Sequence, residues 1–183
     1  MSGPAPQGGG RAVPGPVVVL VGPPGAGKST VARELAGLLG VAARDTDADV
    51  EAAAGTSVAD VFVQHGEARF RELERAAVAD ALATHRGVLA LGGGAPVDPA
   101  TRALLAGHRV AFLDVSLAAA SRRIGLDAPR PLLVDAPRAA WTRLMAGRRP
   151  VYEAVADAVV DTSDASPAEV ARRVAEALGL VPA

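Results

Sequence analysis

Gly22, four intervening residues, Gly27, Lys28 and Ser29 fall in the stretch GPPGAGKST, an order of residue types suited to cradling phosphate oxygens. Glycines let successive backbone N–H groups converge on an anion, Lys28 brings a point charge within reach of β- and γ-phosphates, and the Ser29 hydroxyl suits a magnesium ion. The apolar run PVVVLV comes just before this loop, and the segment after it carries Val31, Leu35, Leu38 and Leu39 on one helical stripe. A buried strand therefore turns into a helix here, with the partly positive helix end under the phosphates. An ordinary glycine-rich turn would not need that context on both sides. Gly25, Ala26, Gly27, Lys28, Ser29 and Thr30 are the expected nucleotide contacts.

Further along, DTDADVE places Asp45 and Asp47 two residues apart just past a second strand, at the edge where a parallel sheet presents ligand-binding groups. Asp45 suits a magnesium-bound water, and Asp47 suits the orientation and deprotonation of an attacking hydroxyl. The plainer alternative is that Asp47 caps a helix starting at Ala48 while Asp45 is solvated. In GEARFRELERAAVADAL, Phe70, Leu73 and Ala77 make an apolar stripe. Arg71 stands among Glu67, Glu74 and Arg75 at spacings that usually mark a solvated ion-pair face. LALGGGAP ends a strand in Gly92, Gly93 and Gly94, where missing side chains let a ligand approach the backbone closely. RRPVY supplies Arg148 and Arg149, which alone read as cations at a helix carboxyl end.

The elements that must position these groups alternate. Strands are expected near 17–21, 41–44, 88–91, 109–113 and 158–161, with helices near 28–39, 57–64, 67–85, 99–106, 117–124, 138–148 and 168–178. This is an α/β pattern with a parallel sheet, and the non-alternating runs VVVLV and GVLAL are those of strands buried on both faces. With 183 residues and 50% hydrophobic content, one domain over 16–183 is expected, preceded by a disordered Gly- and Pro-rich tail at 1–15. GLDAPRPLLVDAP reads as a long surface loop suited to a moving lid.

A net charge of −1 and 3% aromatics argue against a nucleic-acid partner. No apolar run approaches the roughly 20 residues of a membrane helix. With no cysteine for disulfides or thiolate metal sites, a cytoplasmic location is expected.

Taken together, GPPGAGKST, DTD, FRELE for F-R-x-x-E, GGGA, RPLL and RRPVY for R-x-P-x-Y resemble the shikimate kinase family, within the nucleoside-monophosphate-kinase-like group, from about Val17 to Val170. The phosphate loop is widely shared; the combination of the others is more specific. The resemblance implies a three-layer sandwich around a five-stranded parallel sheet of order 2-3-1-4-5, a shikimate-binding region at about 45–75 and a lid at about 125–137. It also implies ATP and Mg²⁺ as co-substrate and metal, shikimate as the small-molecule partner, a monomer, and a place in the route to chorismate and aromatic amino acids. By the same resemblance Asp47 would hold the ring hydroxyls, and Arg71 and Arg148 the carboxylate. Glu74 would hold Arg71, Gly92, Gly93 and Gly94 would line the site, and Arg130 in the lid would reach the transferring phosphate. Adenine would lie between Arg123 and the loop SDASP with Pro167, where Asp164 departs from the basic residue frequent in related enzymes. Removing Arg71 or Arg148 is expected to weaken shikimate binding with little change in thermal stability.

Two other readings share parts of this pattern. A gluconate kinase or adenylate kinase could carry GPPGAGK, though the latter type usually continues Gly-Thr rather than Ser29-Thr30, and neither is expected to join DTD, GGG and RPLL. A nucleotide-binding switch would need no acceptor site, and the base, clamp and lid candidates argue against it.

Overall fold

The computed structural model describes residues 14–126 and 136–181. The five runs of β-branched and aliphatic residues form one parallel sheet of order β2-β3-β1-β4-β5. The strands are β1 (Val18–Val21), β2 (Ala43–Asp45), β3 (Val88–Ala90), β4 (Val110–Asp114) and β5 (Ala158–Asp161). Val18, Leu89 and Phe112 are fully buried, as the unalternating strand patterns require, whereas the edge strands β2 and β5 are partly open.

Two groups of helices cover the sheet. α1 (Lys28–Leu39) packs against α7 (Pro167–Ala177), while α3 (Val58–Thr84), α4 (Pro99–Leu105), a 3-10 turn at Ala95–Val97 and α6 (Pro137–Val155) pack against one another. α5 (Leu117–Ile124) joins α6, and α2 (Thr46–Ala54) lies against α3. Three layers share one main apolar core, and a second small cluster of Val50, Val61 and Phe70 holds α2 and α3 together. Among the described residues, no helix is long and apolar enough to cross a membrane.

The break expected between helices at 57–64 and 67–85 is present: α3 is two helical segments that meet at Gly66, whose φ of 79° and ψ of 172° are not helical. Two boundaries differ from the sequence expectation. α2 was not foreseen as starting where it does: it begins at Thr46, and its cap is Asp45, whose carboxylate accepts from the Asp47 N–H at 2.9 Å. The plainer reading of Asp47 as a cap, with Asp45 solvated, is therefore corrected. α6, expected to stop at 148, continues through Pro150 to Val155. A proline interrupts helix hydrogen bonding, but Tyr152, fully buried against Phe112 with ring centroids 5.1 Å apart, holds the last turns in place. Arg148 and Arg149 thus lie inside a helix and not at its carboxyl end.

Candidate active site

The carboxyl ends of β1, β2 and β3 meet at two adjoining cavities. The smaller, about 260 Å³, is lined by Gly25, Gly27, Lys28, Ser29, Thr30 and Asp47, with Asp45 and Arg123 at its rim. Its shape follows from the phosphate loop. Gly27 takes up φ 85°, a left-handed conformation that side-chain-bearing residues resist, to turn β1 into α1. No side chain caps that helix end, so its N–H groups remain for an anion. Ala26 sits beneath in the core and donates its N–H to the Pro23 carbonyl at 3.2 Å.

Lys28 folds over the loop and donates to the carbonyls of Gly22 at 2.8 Å and Pro23 at 3.1 Å. Burial pushes its ammonium down from 10.5 to about 8, against the pull of Asp47 and Asp45 and with help from Arg148. Ser29 Oγ donates to Asp45 Oδ2 in a short contact. These two hard oxygen donors fit Mg²⁺, which takes few protein ligands and fills its shell with water and phosphate oxygens. Arg123 donates to the Gly25 carbonyl at 3.0 Å, to Thr162 Oγ1 at 3.0 Å and to the Thr162 carbonyl, bolting the phosphate loop to the segment after β5. Among the described residues, Pro167 is not one that lines this cavity; it opens α7, capped by Ser166.

The larger cavity, about 730 Å³, holds Arg71, Arg148, Gly94 and Glu67 on its walls. Arg71 pairs with Glu74 at 2.6 Å and, more loosely, with Glu67 at 3.5 Å. Glu74 is only 3% exposed and packs against the glycine turn, whereas Glu67 and Arg75 on the same face stay open to solvent. Burial pushes the Glu74 carboxyl up, while the hydrogen bond and charge of Arg71 pull the other way.

The glycine turn is what lets these groups close in. A Cβ at Gly92 would stand 2.5 Å from Asp47 Oδ1 and 3.0 Å from Glu74 Oε1, and one at Gly94 would stand 2.5 Å from Arg71 Nη1. At Gly93 the nearest groups would be the Gly22 carbonyl at 3.2 Å and Arg148 Nη1 at 3.4 Å. The buried Thr46 hydroxyl accepts the Gly92 N–H at 3.1 Å and fixes the turn to α2. Asp47, on the wall of the smaller cavity, is thereby set against the turn that floors the larger one. Burial and the neighbouring Asp45 charge push its carboxyl up, with Lys28 and then Arg71 opposing.

Asp45, Asp47, Lys28, Arg71, Glu74, Gly92, Gly93, Gly94 and Arg148, expected together from the sequence, converge here. Arg130 and the centre of the expected lid lie outside the described residues. Three contacts gave no local signal. Arg149 makes a two-pronged pair with Asp114 at 2.9 and 2.7 Å, Trp141 Nε1 donates to the Pro24 carbonyl at 3.0 Å, and the Tyr152 hydroxyl donates to the Gly93 carbonyl at 2.6 Å. Tyr152 is the last residue of the R-x-P-x-Y pattern, which gave no hint of its partner, and only the presence of a single Trp in the chain could have drawn attention to Trp141.

A family model described as Shikimate kinase matches residues 24–179. The shikimate kinase of Frankia casuarinae is 58% identical over 163 residues, covering 89% of this chain and 72% of the relative. That of Thermobifida fusca is 53% identical over 163 residues, covering 89% of this chain and 95% of the relative. Among solved structures, the shikimate kinase from Acinetobacter baumannii in complex with shikimate superposes with a TM-score of 0.81 at 32% identity, covering 90% of this chain and 93% of the other.

Proposed function

The chain belongs to the shikimate kinase family of ATP-dependent kinases, and we propose that it moves the γ-phosphoryl group of ATP onto the 3-hydroxyl of shikimate, giving shikimate 3-phosphate and ADP. The observation that carries this reading is the position of Asp47. It lines the phosphate cavity beside Lys28 and is set against the turn at Gly92, next to the Glu74 that holds Arg71 in the second cavity. A switch that only hydrolyses nucleotide would have no use for an arginine-lined pocket beside its base.

ATP enters the smaller cavity with its phosphates on the α1 end, and Lys28 exchanges its loop carbonyls for the β- and γ-phosphate oxygens. Arg71 and Arg148 take the shikimate carboxylate, which a planar guanidinium matches with paired hydrogen bonds. Asp47 orients the acceptor hydroxyl and receives its proton as the new O–P bond forms and the bond to the ADP oxygen breaks. Ser29 directly and Asp45 through water would hold Mg²⁺, which when bound neutralises charge on the phosphate oxygens.

Measured by ADP release, turnover is expected with shikimate and Mg²⁺ and not with gluconate or AMP. Equal rates with either of those acceptors would defeat the assignment.

Arg148→Ala and Arg71→Ala are each expected to weaken shikimate binding by roughly 2–5 kcal/mol, the range for losing a desolvated charge pair. Their stabilities should part company. Arg71 is the hydrogen-bonded cation beside the buried Glu74, so its loss strands that carboxyl and lowers the melting temperature, whereas Arg148→Ala should leave it nearly unchanged. For Arg71 this departs from the sequence expectation of little change in thermal stability, because its partner Glu74 is buried. Calorimetric titration with shikimate and thermal melts of both variants check this; equal melting temperatures would mean that Glu74 simply takes a proton at no cost.

A further inference from the structure

Tyr152 is the largest fully buried side chain of the described residues, and it carries a polar tip. Its ring lies tilted on Phe112, and its hydroxyl reaches across from α6 to the Gly93 carbonyl at 2.6 Å, a short hydrogen bond between segments distant in sequence. The Arg148 guanidinium lies against the same glycine, since a Cβ at Gly93 would stand 3.4 Å from Arg148 Nη1. The phenol is therefore bonded to the glycine backbone at the residue that abuts the carboxylate-binding arginine. Burial pushes its pKa up, which keeps it a hydrogen-bond donor across the neutral range.

A helix containing Pro150 has lost a backbone hydrogen bond at this level, so α6 depends on side-chain contacts to hold its course between Arg148 and Val155. The Arg149–Asp114 pair fixes the helix to the end of β4. Tyr152 fixes it to the turn itself. Where the Gly93 carbonyl is held, the neighbouring Gly92 and Gly94 backbones are held too, and with them the close approaches to Asp47 and Arg71.

We propose that Tyr152 is a positioning residue for acceptor recognition: its hydroxyl locks the Gly92–Gly94 turn, which abuts the Arg148 guanidinium, into the arrangement that receives shikimate, without touching substrate. The inference rests on the shikimate kinase reading above. Tyr152→Phe removes the hydroxyl and keeps the ring on Phe112, so the fold is preserved. With ATP and shikimate varied in turn, the variant should raise the KM for shikimate roughly three- to tenfold, the scale of one lost hydrogen bond, with kcat and the KM for ATP within about twofold. A rise in shikimate KM at least three times that in ATP KM supports the proposal; any smaller ratio overturns it and leaves the phenol a core contact. Wild type assayed alongside separates the two levels: no turnover of shikimate by wild type would defeat the kinase assignment, whereas an active wild type with an unshifted variant defeats only the role of Tyr152.

Discussion

Lys28→Ala lowers kcat/KM by roughly 10³-fold or more, because a preorganised charge aimed at the transferring phosphoryl is removed from a site where water cannot replace it; losing one such donor elsewhere costs on the order of 10²- to 10³-fold. The same change should not harm the fold. In the nucleotide-free protein, burial has already lowered the Lys28 pKa from 10.5 to about 8, a charging cost of roughly 3 kcal/mol. Between those two values the unfolded chain binds more protons than the folded one, so Lys28 makes stability rise with pH across that window, and at neutral pH it is a net burden. The melting temperature of Lys28→Ala without nucleotide should therefore hold or rise. The proton also predicts how wild type behaves in base: above about pH 8 the empty site loses its cation, and the KM for ATP should climb while kcat at saturating ATP holds. Stopped-time assays of ADP formation, with melts from the same preparations, read all of this. A variant that keeps a tenth of wild-type kcat/KM would remove Lys28 from the phosphates.

What could be read along the chain was what depends on near neighbours. The phosphate loop and α1 were legible because a strand, three glycines and a helical stripe follow one another within a few turns, and the bend at Gly66 appeared as a gap between two helical patterns. The strand order was not contained in any spacing; it came through the likeness of several motifs to one family, and the sheet bears it out. α2 entered only as the alternative of a helix starting at Ala48, because TDADVEAAA buries only Thr46 and Val50, too little to show a stripe. α6 looked finished at Pro150 because the contacts that carry it onward join Tyr152 to Gly93 and Arg149 to Asp114, far apart in sequence.

Glu74 shows the same limit inside the site. Spaced three residues from Arg71, it has the pattern of an exposed helical pair, worth a few tenths of a kcal/mol. Its burial is created by the glycine turn at 92–94, whose absent side chains admit the carboxyl, and no local pattern on α3 announces that turn. The family resemblance implied that Glu74 holds Arg71, and the two groups are paired at 2.6 Å with Glu74 buried; a guanidinium fixed by a buried acid keeps its place on the pocket wall.

Asp47→Asn should lower kcat by roughly 10²- to 10⁴-fold, the usual contribution of a positioned general base, with shikimate affinity changed only a few-fold because the amide still bonds to hydroxyls. The replacement is nearly isosteric, so the close approach to Gly92 survives. Burial and the Asp45 charge raise the Asp47 pKa above the ordinary carboxylate range, and only the ionised form can accept the proton. In wild type kcat/KM should thus decline as pH falls through that raised value, at a higher pH than a free aspartate would impose, and Asp47→Asn should flatten this limb. Stability moves the other way. Between the unfolded and the raised folded pKa the native state holds more protons than the unfolded chain, so the stability linked to Asp47 is present at low pH and fades as pH rises through the window. At neutral pH the nucleotide-free Asn variant should accordingly melt no lower than wild type, the mark of a charge kept for function at the expense of the fold. A pH–rate profile for both proteins decides the matter: a kcat within tenfold of wild type and an unmoved acid limb would mean that the hydroxyl proton leaves without Asp47 and that the carboxylate only orients the acceptor.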